Sequence, residues 1–251
     1  MLNLRQQADV GSQPSLTVSF AQHQSEVREA QRLRYRVFAE EMGARLEGSE
    51  PGIDEDRFDE HCQHLLVRDD NTGEVVGTYR VITPDVAKRV GGFYSESEFD
   101  ISRLDNLRDR LVEVGRSCVH PDYRHGGTIA MLWGGLARFA ANNGYDYAMG
   151  CASISMADGG HVAASIYRTL REKHLSPLEY RVFPRFGLPM EHLDWNLEAE
   201  IPPLLKGYIR LGAYICGEPA WDPDFNTADV LVLMPMARMS QRYARRLLSN
   251  A

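Results

Sequence analysis

Lysine is almost missing from this chain. Lys88, Lys173 and Lys206 are its only lysines, and arginine supplies the rest of its 28 basic residues. The planar guanidinium fork binds carboxylates and phosphates bidentately, so this choice fits repeated anion recognition as well as a plain codon bias. Cysteine is scarce too: Cys62, Cys118, Cys151 and Cys216 are widely spaced and form no C-x-x-C. That spacing excludes a disulfide framework and a zinc ribbon and leaves four buried free thiols. The His61-Cys62-Gln63-His64 cluster has ligand-type residues. An extended segment would face the two histidines apart, and no second ligand pair exists, so no metal is expected. No apolar run reaches the ~20 residues of a membrane-spanning helix. The first residues carry no apolar core or cleavage pattern of a signal peptide, and a cytoplasmic location is expected. An excess of positive charge is also lacking. The formal net charge is −7, which gives a nucleic-acid role no electrostatic support.

What is present suits a soluble globular fold. The 251 residues are 43% hydrophobic and 25% charged, enough to bury one full core. Residues 1–15 read as a loose polar arm, and residues 16–251 as a single elaborated domain without repeats or linkers. The chain is organised around residues 111–128. Leu111, Val112, Val114, Cys118 and Val119 form an apolar strand interrupted by Glu113 and Arg116, and Pro121 ends it. The turn Arg124, His125, Gly126, Gly127 and Thr128 follows, and an apolar helical pattern begins at once (129–142). Strand, glycine turn and helix N-terminus make an anion site, because unpaired backbone N–H groups and the helix dipole both favour negative charge. A carboxylate beside an anion site points to base-assisted chemistry on a substrate carried by a phosphate-bearing group.

The flanking patterns alternate between the two periods. Residues 16–20 read as a strand and 25–42 as a helix, with Ser25 as N-cap and Gly43 as stop. Arg34 and Phe38, four apart, share a face of that helix. Residues 43–60 form an acidic loop (Glu50, Asp54, Glu55, Asp56, Asp59 and Glu60 among others), either simply solvated or a surface that attracts an amine. Strands at 64–68 and 74–82 flank a hairpin turn. Arg80 interrupts the second, and an arginine there needs a carboxylate or a substrate anion beside it. Residues 84–100 are mixed. A strand (145–154), a helix (161–174), a short helix opened by Pro202-Pro203 and strands at 211–216 and 230–234 complete the body. Residues 237–248 read as a basic amphipathic helix.

This order resembles the GNAT acyltransferase fold: α/β (α+β), a mixed central sheet flanked by helices, here with an elaborated C-terminal third. In that family the phosphopantetheine or pyrophosphate sits where the turn meets the helix, which here implies Arg124, His125, Gly126, Gly127 and Thr128. Arg34, Phe38, Asp56, Asp59, Arg80 and Glu113-x-x-Arg116 resemble the residue set of acyl-homoserine-lactone synthases, although the tryptophan which that family places after its first helix is replaced by Met42-Gly43-Ala44. The run 204–213, Gly217-Glu218-Pro219, Asp222-Pro223-Asp224-Phe225 and 115–121 resemble the ornithine N-acyltransferases of ornithine-lipid synthesis.

The resemblance implies transfer of a (3-hydroxy)fatty acyl group from the phosphopantetheine arm of acyl carrier protein to the α-amino group of L-ornithine, giving lyso-ornithine lipid. A homoserine-lactone or other N-acyl amino acid synthase, and a non-catalytic acyl-binding relative, are the alternatives. Glu113 is then the expected base, acting directly or through water, since a free amine is mostly protonated near neutral pH. Backbone N–H groups of 118–120 are the expected oxyanion donors. Arg116 either serves the substrate or pairs with a loop acid, and a bulge is needed to turn it to the side of Glu113. Asp56 and Asp59 would take the side-chain ammonium. Arg80 or Arg34 would take the carboxylate or anchor the loop. Arg124, Arg168, Arg171, Lys173, Arg181 and Arg185 are the expected docking residues for the acidic carrier. A lipid product also implies peripheral contact with the inner membrane surface.

Overall fold

The computed structural model describes residues 15–46 and 50–239. The arm (1–15) therefore falls almost wholly outside the described residues, as does most of the basic helix expected at 237–248. Its first residues form a 3-10 turn, Met236–Arg238.

The elements follow in chain order: β1 (Leu16–Phe20), α1 (Gln24–Tyr35), β2 (Gln63–Asp69), β3 (Val75–Ile82), α2 (Pro84–Val90), β4 (Phe99–Asp100), β5 (Leu111–Val119), α3 (Gly127–Asn143), β6 (Tyr147–Ser155), α4 (His161–His174), β7 (Phe183–Pro184), α5 (Pro203–Leu211), β8 (Tyr214–Ile215), β9 (Ala220–Asp222) and β10 (Thr227–Pro235). One sheet runs β1-β2-β3-β5-β6-β10-β8, with β9 on β10, and β4 pairs β7 separately. All its pairings are antiparallel except β5 with β6. That parallel pairing spans only Leu111–Glu113 against Tyr147–Met149, after which the two strands part.

Side-chain alternation along these strands sorts the core into two faces. Val112, Val114, Ala148, Val232 and Met234 face α3 and α5. Ile82, Leu111, Met149, Leu231 and Leu233 face the other way and pack with Val86, Phe93, Phe99 and Leu104. Each such large side chain contributes about 1.5–3 kcal/mol on burial. Arg80, Glu113, Cys151 and Asp229 lie on this second face by register. One face of the parting is therefore apolar and the other charged.

Several expectations are corrected locally. The N-cap of α1 lies two residues before Ser25, at His23, and the Glu26 carboxylate accepts the backbone N–H groups of Gln22 and His23 at 2.7 and 3.3 Å. That carboxylate, at the third helical position, is the reciprocal half of a capping box and ties down the chain that enters the helix. The helix then widens into a π-helical segment, Arg36–Glu41. Residues 84–100 contain α2, with Thr83 as N-cap, Pro84 at N1 and Gly91 left-handed at the stop (φ +87°). The strand expected over 211–216 shrinks to Tyr214–Ile215 because α5 runs through Leu211.

Candidate active site

Two arginine-carboxylate layers carry the acidic loop. Arg34 is fully buried. Its Nε donates to Asp54 Oδ2 at 2.7 Å, its Nη2 to Asp59 Oδ2 at 2.6 Å and to the Asp54 carbonyl at 2.6 Å, and its Nη1 to Asp59 Oδ1 at 2.9 Å. Four of its five N–H groups are taken and none of the side chain is exposed, so of the two expected roles it takes the loop anchor. Asp54, which sequence reasoning left among the loop acids, is as buried as Asp59. Above this layer Arg80 donates to Asp56 Oδ1 at 2.6 Å and to Asp59 Oδ1 at 3.1 Å. The carboxylate that an arginine on a central strand requires is thus supplied by the loop. Burial opposes ionisation of Asp59, but the Arg34 and Arg80 charges outweigh it and hold the carboxyl far below its ordinary range. Asp56 is held low by Arg80 and Arg116 in the same way. Both aspartates are engaged in ion pairs, which leaves little for an incoming ammonium.

Arg116 reaches this cluster through a bulge. The β3–β5 register slips between Thr78 and Arg80, and Arg116 takes a left-handed conformation (φ +48°). The extra residue turns the side chain toward Glu113's face. Its Nη2 donates to Asp56 Oδ2 at 3.2 Å, and its guanidinium stacks over Phe225 (4.8 Å to the centroid) and Tyr94 (5.4 Å). The Nε atoms of Arg116 and Arg80 are buried and unpartnered. Phe38, from the π-helical segment, meets Phe225 edge-on at 5.7 Å.

Glu113 is buried on β5, where it accepts the backbone N–H of Tyr94 at 2.6 Å, the backbone N–H of Ser95 at 2.8 Å and the Ser95 hydroxyl. Burial raises its pKa above the ordinary glutamate value, while those donors and Arg80 pull against the rise. These elements line one open cleft that includes Phe38, Arg80, Tyr94, Glu113, Arg116 and Asp229.

A second, narrower cavity opens on the other face between α3 and the parted strands. Its lining is almost wholly apolar, with Val112, Leu136, Ala140, Ala148, Val232 and Met234 in it, and it shares Val114, Trp133, Cys151 and Tyr208 with the cleft. Two glycines make room. A Cβ on Gly150 would lie 2.2 Å from the Val114 carbonyl oxygen, where β6 grazes β5, and one on Gly207 would lie 2.3 Å from the Trp133 ring. At the junction the Tyr79 and Tyr208 hydroxyls bond to each other, and the Trp133 indole N–H donates to Tyr79 Oη at 3.3 Å.

The turn before α3 differs in detail from expectation. The Arg124 guanidinium is bidentate on Glu41 (2.6 and 2.7 Å), and its Nε donates to the Val119 carbonyl at 3.0 Å. His125, Gly126 and Gly127 are exposed, with Gly126 left-handed at the N-cap. Thr128 is buried, and its methyl lies 2.7 Å from where a Gly77 Cβ would stand. Only its backbone N–H is therefore placed to meet an anion. Among the expected oxyanion donors, the His120 N–H is taken by the Val76 carbonyl at 2.8 Å. Backbone groups alternate between strand edges. The Val119 carbonyl is met by Arg124, outside the β3 ladder, so the Val119 N–H faces the open edge with it.

A sheet that parts beside a glycine turn and a helix N-terminus, with an acid on the central strand, is the architecture of a GNAT acyltransferase. A model of the acetyltransferase (GNAT) domain matches residues 33–134. The acyl-homoserine lactone synthase MesI, described as CoA-dependent, shares the fold with a TM-score of 0.54 at 13% identity, over 92% of this chain and 93% of that one. The chain is also 38% identical to the L-ornithine N(alpha)-acyltransferase of Brucella abortus, over 91% of this chain and 87% of that protein. The enzyme of the same name from Rhizobium meliloti is 38% identical, over 93% and 84% respectively. The chain belongs to the L-ornithine N(alpha)-acyltransferase family.

Proposed function

We propose that this protein transfers a (3-hydroxy)fatty acyl group from acyl carrier protein to the α-amino group of L-ornithine, giving lyso-ornithine lipid. The observation that carries the reading is the parting of β5 from β6, which joins an apolar cavity on one face to a charged cleft on the other. The apolar lining of the first suits a fatty chain and the charges of the second suit an amino acid, which puts the thioester carbonyl at the junction. The phosphopantetheine phosphate then meets the backbone N–H groups of residues 125–128 at the α3 N-terminus, with Arg124 beside them. Arg116, which lines the cleft with Arg80 behind it, offers its guanidinium to the acceptor carboxylate.

In this reaction the acceptor amine must lose a proton before its lone pair attacks the carbonyl. Glu113 accepts it, directly or through one water, and burial suits the carboxylate to the task by raising its basicity. The tetrahedral oxyanion takes a hydrogen bond from the Val119 N–H. Its collapse breaks the C–S bond, and the thiolate leaves on the carrier arm and takes up a proton. Exposed Leu178, Phe183, Phe186 and Trp221, with Arg103 over the Phe183 ring, form an apolar and cationic edge suited to a bilayer surface, where a lipid product is released.

The deciding assay supplies the purified protein with acyl carrier protein thioester and L-ornithine, and follows thiol release together with the mass of the product. N-acyl ornithine is expected. Turnover only with S-adenosylmethionine would replace this reading with a lactone synthase, and binding of the carrier without thioester loss would replace it with a non-catalytic one.

A further inference from the structure

Beside Cys151 the cleft has a second acidic pocket that no role above uses. Asp229 comes from β10, paired in register with Ser153, and lines the cleft with Asp222 from β9. Glu98, from the segment before β4, lies behind them. The carboxylate and thiol atoms of Glu98, Cys151 and Asp229 all fall within 4.8 Å of one another. Asp229 is only 4% exposed. Its Oδ1 and both oxygens of Glu98 are buried without a hydrogen-bond partner. Asp56 and Asp59 are each paired with two arginines, whereas none of the ion pairs among the described residues involves Asp229, Glu98 or Asp222.

Burying carboxylates together without a counter-ion opposes their ionisation. Burial, with Asp222 adding to it, lifts Asp229 to about 6, and burial with Asp229 and Asp222 lifts Glu98 well above its ordinary value. Such a pocket lacks one thing, a cation delivered from the cleft. The Cys151 thiol is pushed well above its ordinary pKa by burial and by Glu98, so beside the two carboxylates it adds no negative charge of its own. An ammonium group, which needs only acceptors, fits the set.

We infer that Asp229 and Glu98, with Asp222 at the rim, receive the side-chain ammonium of a diamino acid acceptor, and that Asp56 and Asp59 do not. This inference rests on the amino acid acceptor proposed above. The pocket adjoins Glu113: Ser95 Oγ bonds to that carboxylate and lies 3.4 Å from Cys151 Sγ. One acceptor then places its two nitrogens in unlike surroundings. The nitrogen at Asp229 and Glu98 is held charged and unreactive, and the other meets the base. The pocket thereby selects the chain length between the two amines as well as the site of acylation.

The test compares L-ornithine with L-norvaline, which has the same carbon skeleton and no side-chain amine, on the intact protein with acyl carrier protein thioester. Asp229→Asn and Glu98→Gln keep shape and remove charge. Each is expected to lower kcat/KM for ornithine relative to norvaline by about a hundredfold, the scale for stranding a buried charge. An unchanged ratio, or an equal loss on both acceptors, overturns the assignment. A stoichiometric divalent metal in the purified protein that is lost in Asp229→Asn also overturns it, in favour of a metal site. Wild-type protein inactive on ornithine would instead sink the proposed function, so the two failures are distinguishable.

Discussion

Glu113 and Ser95 are joined twice: one carboxylate oxygen accepts both the backbone N–H of Ser95, at 2.8 Å, and its hydroxyl. Together with the Tyr94 N–H at 2.6 Å, these bonds stabilise the charged form of a carboxylate that burial pushes toward the neutral one. A base works only when deprotonated, so kcat should rise with pH through the Glu113 pKa, above the ordinary glutamate value. Ser95→Ala deletes one donor to the charged form, so the rising limb should move to higher pH. Glu113→Gln should lower kcat by about 10²–10⁴-fold, with little change in the KM for the carrier. A pH-rate profile of the three proteins checks both. An unmoved limb in Ser95→Ala, or undiminished turnover in Glu113→Gln, removes the base assignment.

The Arg34 layer makes a stability prediction with a definite pH sign. Asp59 and Asp56 titrate lower in the folded protein than in the unfolded chain. Their contribution is therefore complete above the unfolded carboxyl value, about 4, and is lost as the pH falls toward the folded values. Urea midpoints measured down the acid limb should fall more steeply for the wild type than for Asp59→Asn. Arg34→Ala strands two buried carboxylates and should cost about 3–5 kcal/mol at neutral pH. A loss below about 1 kcal/mol would mean that the layer is not the loop's anchor.

On the proposed reading the apolar cavity holds the acyl chain and so limits its length. Ala148 lies on its wall, in register with Met234 and Val112. Ala148→Leu adds three carbons into that space and should shift the preference among acyl donors toward chains shorter by about two to four carbons. A competition assay with mixed-length thioesters reads the shift. Overpacking of this kind typically costs about 1–3 kcal/mol of stability, and an unchanged length profile would place the acyl chain elsewhere.

Much of this arrangement could be read from periodicity. α4 occupies the expected residues, and β3 brings Arg80 to the sheet centre beside a carboxylate, because an unpaired guanidinium there would be too costly. The bulge at Arg116 was expected from the resemblance, since two residues three apart on an ideal strand face opposite sides. Glu98 and Asp229 were not legible. Each stands alone in its own stretch, one in a mixed segment and the other at the head of the apolar run of β10. Only the β6–β10 pairing and the short β4–β7 ladder bring them together. Asp54 was hidden for a different reason: nothing in the spacing of the loop acids says which of them Arg34 selects. Thr128 fits the motif by its place in the turn, yet the close approach of α3 to Gly77 turns its side chain inward.

The last prediction concerns the edge that carries Phe183 and Phe186. Their rings are 53% and 60% exposed. Phe186 meets Trp221 at 5.5 Å between centroids, one residue from the cleft-lining Asp222. Aromatic rings of this kind partition to a bilayer interface, and nearby arginines favour anionic headgroups. The wild type should therefore cosediment with vesicles containing anionic lipid, more weakly as salt rises. A Phe183→Ser, Phe186→Ser double variant should lose that binding. Retained cosedimentation in this variant would remove the patch from the membrane contact. Binding to neutral vesicles as strong as to anionic ones would leave the rings in place and exclude an electrostatic part for Arg103 and Arg185.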